Sequence, residues 1–372
     1  MAYLVRVQNV LHAHLREPIT GPVARSDVRS TMSELEVRTH PLVAAEIAAD
    51  LEPGEVEDLI ASLAASTWRA YRPAWTRWQR WASQHGEALL PPTGEAVAAW
   101  VGWLADDEHL ALPTIRKHVA ALATLVDLAV AFGVVDGQVL RPIEHPRVRR
   151  RLAGRARTVQ HQPVQKDPLV TADVVAIVTA LAGGGRAHQL RRLRDTAIVL
   201  LAFASGCRRS ELAALKVDDL TFRADGYLEV LVRRSKNDQE GRGRVVGIAP
   251  GSTDATCPVR TLRRWLDTAG LHDGPVFRPI IARAGGLREH VQPTGLGAKS
   301  IAQVIKDGAA LIGRDPTGIA GHSTRRGHVT AAVDAGATDG QIAATTGQAR
   351  QTIDGYTAGR QVTANSSGLL GL

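Results

Sequence analysis

Two cysteines in 372 residues, Cys207 and Cys257, exclude a disulfide framework, and neither stands in a Cys-x-x-Cys pair or at ligand spacing from a histidine. Reduced thiols and a cytoplasmic setting are expected, with no metal site. Long apolar runs are also missing. None approaches the roughly 20 residues needed to span a bilayer, and the first residues lack the basic stretch and apolar core of a secretory signal. No membrane partner is expected. The triplet Gly183-Gly184-Gly185 lacks the Lys-Ser/Thr of a phosphate loop and reads as a turn, so no nucleotide cofactor is implied.

What is present is positive charge. Lysine and arginine total 45 against 37 acidic residues, a net charge of +8, which favours a polyanionic partner. With 44% apolar residues the chain can build packed cores, and its length fits two ordinary domains.

Residues 1–54 mix prolines, arginines and short apolar stretches and read as a partly ordered arm. Residues 55–145 carry helical periodicity. Thr67, Tyr71, Trp75, Trp78 and Trp81 recur at spacings of three and four, followed by Val97, Trp100, Val101 and Leu104. The tryptophan stripe reads as core rather than as a base-stacking platform. Arg69, Arg72, Arg77 and Arg80 fall on other faces, open either to phosphates or to solvent. After Pro113, Thr114-Ile115-Arg116-Lys117 opens a further helix with positive charge suited to DNA contact.

Seven arginines and one lysine against one glutamate lie between Arg141 and Lys166, among them Arg147, Arg149, Arg150, Arg151 and Arg155. Pro142, Pro146, Gly154 and Pro163 predict a break in regular structure, so residues 146–167 are expected to form a basic interdomain linker that neutralises phosphates, or a merely solvated one. From 168 to 372 the pattern is mixed. Thr171 is placed to cap a helix through Leu181, Asp195 to Ala204 reads as a buried helix, and Tyr227 to Arg233 with Arg244 to Ile248 reads as a hairpin carrying Lys236 near its tip.

Three short motifs carry the chemistry. Arg208 and Glu211 are three apart after Gly206, so the carboxylate can orient a guanidinium. His322 and Arg325 have the same spacing, and Tyr356 follows. A phenol, two arginines, a histidine and a lysine form a phosphate-attacking set spread along the chain.

In this order the motifs resemble the tyrosine recombinase (phage integrase) family over residues 55–372. Ser66-Thr67-Trp68-Arg69-Ala70-Tyr71 with Trp75, Trp78 and Trp81 looks like the opening helix of that family's core-binding domain. Ser205 to Leu212 is similar to its first-arginine box and Gly321 to Gly327 to its His-x-x-Arg box, with Ser323 and Gly327 closer to the Cre-like branch.

The resemblance implies a mainly α fold with a small β-sheet: a SAM-like helical core-binding domain and an α+β catalytic domain forming a C-shaped clamp on double-stranded DNA. It implies a site-specific recombinase that works without ATP or any other cofactor. Tyr356 attacks the scissile phosphate to give a 3′-phosphotyrosine, Arg208 and Arg325 bind the nonbridging oxygens, His322 manages the phenolic proton, and Lys236 protonates the leaving 5′-oxygen. Glu211 orders the pocket without touching DNA. The assembly implied is a homotetramer exchanging strands through a Holliday junction, and the apolar tail ending Leu369-Leu370-Gly371-Leu372 is expected to dock on a neighbouring protomer.

One departure stands out. The family places His or Trp after the glycine of its last motif, whereas Thr346-Gly347 is followed by Gln348, one residue closer to Tyr356 than usual. An amide donates a hydrogen bond but transfers no proton. The departure predicts a slow enzyme, or compensation by a residue such as His328 or Arg350. It also keeps open a catalytically impaired DNA-binding regulator, beside a type IB topoisomerase-like nicking and closing enzyme.

Overall fold

Residues 58–59, 61–133, 135–158, 165–184, 188–234, 243–282, 289–348 and Ile353 are described by the computed structural model. The chain divides into two units, Met1–Pro163 and Val164–Leu372. Among the described residues the fold is mainly α, with a three-stranded and a two-stranded antiparallel sheet. None of the helices described is long and apolar enough to cross a membrane.

The first unit is built on tryptophan. Helix α1, Ala65–His85, buries Trp68, Trp75, Trp78 and Trp81 along one stripe and stops at Gly86, whose left-handed φ of 67° ends the helical ladder. Helix α2, Gly94–Asp106, starts where the Thr93 hydroxyl accepts from the Ala96 amide at 3.1 Å. Its Trp100 meets Trp78 edge-on at 5.3 Å, and Trp78 stacks on Trp81 at 5.5 Å. Helix α3, Leu112–Ala131, has Pro113 in its first turn, where the missing amide hydrogen costs nothing, and buries Ile115, Val119 and Leu122 against the stripe. The stripe is core, as its periodicity predicts.

The stretch expected to be an irregular linker is instead helix α4, Pro146–Thr158. Pro146 occupies the first helical position, where proline is tolerated, and Gly154 costs only about 1 kcal/mol inside a helix. Val148 and Leu152, one turn apart, are buried in the tryptophan core, and the helix packs against α2. The arginines take the outer face, so a cationic run that looked like a tether is one amphipathic side of the first unit.

The second unit centres on helix α6, Gln189–Ser205, whose residues Ala197 to Ala202 are all buried. Helix α5, Thr171–Ala182, lies against it. The Asp173 carboxylate, rather than the Thr171 hydroxyl, caps α5 by accepting from the Val170 amide at 3.0 Å. Short helix α7, Arg209–Ala214, leads through a 3-10 turn to strands β1 (Leu220–Phe222), β2 (Leu228–Val232) and β3 (Arg244–Ile248). They pair in the order β1-β2-β3, with Leu228 opposite Ile248 and Val232 opposite Arg244. Alternate residues Leu228, Val230 and Val232 face the core.

Helix α8, Pro258–Ala269, packs on α6 and buries Trp265, whose indole donates to the Val276 carbonyl at 2.9 Å. Strands β4 (Ile280–Ala282) and β5 (Glu289–Val291) form the smaller sheet. Helices α9 (Ala298–Leu311), α10 (Ser323–Asp334) and α11 (Asp339–Thr346) complete the described part. A capping box starts α11: the Thr338 hydroxyl accepts from the Gln341 amide, and the Gln341 side chain accepts from the Thr338 amide at 2.8 Å. The arm expected over 1–54 and the C-terminal tail lie outside the described residues.

Candidate active site

The site begins where α6 stops. Ser205 is held by its hydroxyl donating to the Leu201 carbonyl at 2.6 Å, and Gly206 takes the left-handed φ of 57° that turns the chain out of the helix. Cys207 is buried, which pushes its thiol up in pKa. Arg208 then sits in extended conformation immediately before α7. Its pairing with Glu211 survives because a glutamate three residues into a helix reaches back to the first free amide. Glu211 accepts from the Arg208 backbone at 2.9 Å and from Arg208 Nη1 at 2.7 Å. Burial alone would raise the Glu211 carboxyl; those bonds and the nearby Arg244 charge bring it below the ordinary carboxylate value instead. Its side chain is 2% exposed, so it is a fixed anion.

His322 is likewise the residue just before its helix, α10, and Arg325 lies in that helix's first turn. Two contacts seat this turn: the Leu169 amide donates to the Ser323 carbonyl at 3.0 Å, and Gly327 lies so close that a Cβ there would be 1.6 Å from the Leu169 carbonyl oxygen. Arg325 is 2% exposed and donates from Nη1 to the Gly206 carbonyl at 2.6 Å. Its Nη2 is buried without a hydrogen-bond partner among the described residues. Burial, reinforced by the positive charge of Arg208, lowers the Arg325 guanidinium to about 10. Burial likewise lowers His322, followed by the charges of Arg325, Arg208 and Arg209. Arg208, Arg325 and His322 therefore share one electropositive locality, relieved only partly by Glu211.

Gln348 follows Gly347 at the end of α11. It is 9% exposed, its backbone amide donates to Thr346 Oγ1 at 3.3 Å, and its side-chain oxygen is buried without a partner among the described residues. His328 lies beside Gly206, its Nδ1 donates to the Phe203 carbonyl at 2.8 Å, and burial lowers its pKa. That bond fixes His328 to the last turn of α6. Arg350, Lys236 and Tyr356 lie outside the described residues, although the strands flanking the Lys236 segment pair up to Val232 and Arg244.

On the first unit, Arg69, Arg116, Lys117, Arg149, Arg150 and Arg151 are exposed, and Arg72 is half-buried. Arg147 lies 3.5 Å from Glu95 and Arg155 pairs with Asp106, so both carry carboxylate partners. Arg77 and Arg80 converge on Glu108, a surface ion-pair cluster. Arg244 was missed by the sequence reading. It bonds Glu211 and the Thr345 carbonyl, and its only sequence signal is its place at the returning end of the hairpin.

No protein-family model matches the sequence. The tyrosine recombinase XerD of Mycobacterium leprae is 27% identical over 286 residues, covering 74% of this chain and 81% of that protein. An integrase/recombinase xerD homolog from Selenomonas ruminantium is 34% identical over 271 residues, covering 73% of this chain and 74% of its own length. The chain belongs to the tyrosine recombinase family. The recombinase also has the fold of a solved XerH site-specific recombinase bound to its difH substrate before cleavage, with a TM-score of 0.56 at 12% identity over 95% of this chain and 92% of that one. Both curated relatives carry Xer names, so the comparisons speak for the family and not for the Cre-like branch.

Proposed function

We propose that this tyrosine recombinase cuts and rejoins double-stranded DNA at specific recombination sites. The Tyr356 hydroxyl displaces the 5′-oxygen of the scissile phosphodiester: a P–O bond to tyrosine forms, the P–O5′ bond breaks, and the leaving 5′-oxygen takes a proton from Lys236. His322, neutral near pH 7 because its pKa is lowered, accepts or orients the phenolic proton. Arg208 and Arg325 hold the nonbridging oxygens, and Gln348 adds an amide contact. Attack by a 5′-hydroxyl on the phosphotyrosine reverses the sequence and reseals the strand without external energy.

One observation carries this reading. Arg325 is almost wholly buried beside Arg208, one of its guanidinium nitrogens has no partner among the described residues, and Glu211 supplies a negative charge to the group. A buried, unsatisfied cation is costly unless its function is to receive an anion. A phosphodiester presents two nonbridging oxygens and one charge, which complements that deficit. In the first unit, Arg69, Arg72, Arg116, Lys117 and the outer face of α4 supply phosphate contacts. The same reading has protomers assembling as a homotetramer on two sites in the cytoplasm, resolving a Holliday junction, with the segment from Ser366 onward docked on a neighbour.

A nicked suicide substrate tests the chemistry. Wild-type protein is expected to give an SDS-resistant DNA adduct that disappears in Tyr356→Phe. Retention of the adduct in that variant, or DNA binding with no adduct from wild type, contradicts the proposal.

A further inference from the structure

Arg244 opens β3 and reaches two segments distant in sequence. Its Nη2 donates to Glu211 Oε2 at 3.1 Å and lies 3.7 Å from the Cys207 sulfur, while its Nη1 donates to the Thr345 carbonyl at 2.5 Å. That carbonyl belongs to the last turn of α11, where oxygens left unpaired by the helix concentrate partial negative charge that a guanidinium complements. The next residues close on the same group. A Cβ on Gly347 would lie 3.0 Å from Arg244 Nε and 3.2 Å from its Cδ, and Gly347 has a φ of 65°, so the chain turns out of α11 directly over the guanidinium.

Glu211 divides its two oxygens. Oε1 takes Arg208 Nη1, while Oε2 takes the Arg208 amide and Arg244 Nη2. One guanidinium therefore links the carboxylate that orients Arg208 to the backbone that leads into Gln348. An arginine at a strand end is ordinarily solvated and dispensable, but this side chain is only 18% exposed.

We propose that Arg244 is a positioning residue for the strand-cleavage reaction. It sets the distance between the Arg208–Glu211 pair and the Thr345–Gln348 segment without touching DNA, so that the phosphate-binding guanidinium and the chain running on to Tyr356 are held in one register. Loss of Arg244 frees the end of α11 from Glu211 and leaves a buried carboxylate with Arg208 alone. This inference rests on the recombinase reading above.

The test measures three quantities for wild type, Arg244→Gln and Arg244→Lys: the single-turnover rate of adduct formation at saturating nicked DNA, the DNA Kd, and the thermal midpoint. A misplaced group away from the reacting atoms costs up to about 10²-fold in rate, so Arg244→Gln is expected to lose that order of rate with Kd within about twofold of wild type. Arg244→Lys, which keeps the charge and one donor, is expected to recover part of the loss and remains informative if the glutamine variant fails to fold. Wild-type rates in Arg244→Gln overturn the proposal. So does a parallel fall in rate, DNA affinity and thermal midpoint in both variants, the mark of general destabilisation. Wild-type protein that forms no adduct overturns the recombinase reaction itself, which separates the two failures.

Discussion

Arg325 donates from Nη1 to the Gly206 carbonyl at 2.6 Å, tying together two segments 119 residues apart. The bond holds the guanidinium, and Nη2 has no partner among the described residues, a place the proposed reaction gives to a ligand. If that ligand is the scissile phosphate, Arg325→Ala lowers single-turnover cleavage by about 10²–10³-fold, the usual loss for one preorganised donor to a charged transition state. The DNA Kd, set by many phosphate contacts, changes far less. Gel-resolved adduct kinetics and a binding titration on the same substrate check both.

The pH dependence follows from His322. Burial and three neighbouring arginines push its pKa below the ordinary histidine value, so the neutral, proton-accepting form prevails at pH 7. Cleavage is expected to hold steady on either side of neutrality and to fall only as pH drops below about 6.5 and through the lowered value. In His322→Gln the rate is lower throughout and this acid limb is absent. Single-turnover rates across that range provide the check.

Glu211 makes an equally signed prediction for stability. Its folded pKa lies below the ordinary carboxylate value, so its contribution is fully present above about 4.3 and is lost as pH falls through the depressed folded value. Removing one member of a buried ion-pair group costs about 3–5 kcal/mol, so Glu211→Ala should unfold at markedly lower urea near neutral pH, with the gap to wild type narrowing in acid.

Gly327 is a packing requirement. A methyl group there meets the Leu169 carbonyl oxygen at 1.6 Å, and neither backbone can yield without shifting the turn that carries Arg325. Gly327→Ala is expected to destabilise the protein by about 3 kcal/mol, opposite in sign to the gain alanine usually gives inside a helix. Thermal unfolding of the single variant decides the sign.

Much of the architecture was readable because it is periodic. The spacing of Trp75, Trp78 and Trp81 marks a buried helical face, and the alternation in Leu228–Val232 marks a strand with one side inward. Helix α4 was not legible as a helix, since Pro146 and Gly154 read as breakers until Val148 and Leu152 are seen buried. Arg208, Glu211, His322 and Arg325 were found because short spacings and motif order identify them, although both Arg208 and His322 stand just outside their helices. Arg244 escaped because its partners, Glu211 and Thr345, lie 33 and 101 residues away and meet it only through tertiary packing.

Arg325 is proposed to answer the charge of one phosphate. A substrate carrying a neutral methylphosphonate at the scissile position tests it by removing that charge while leaving Arg325 in place. The penalty of Arg325→Ala, about 10²–10³-fold on phosphate, is expected to shrink to less than about tenfold on the neutral substrate. An undiminished penalty on methylphosphonate would contradict it.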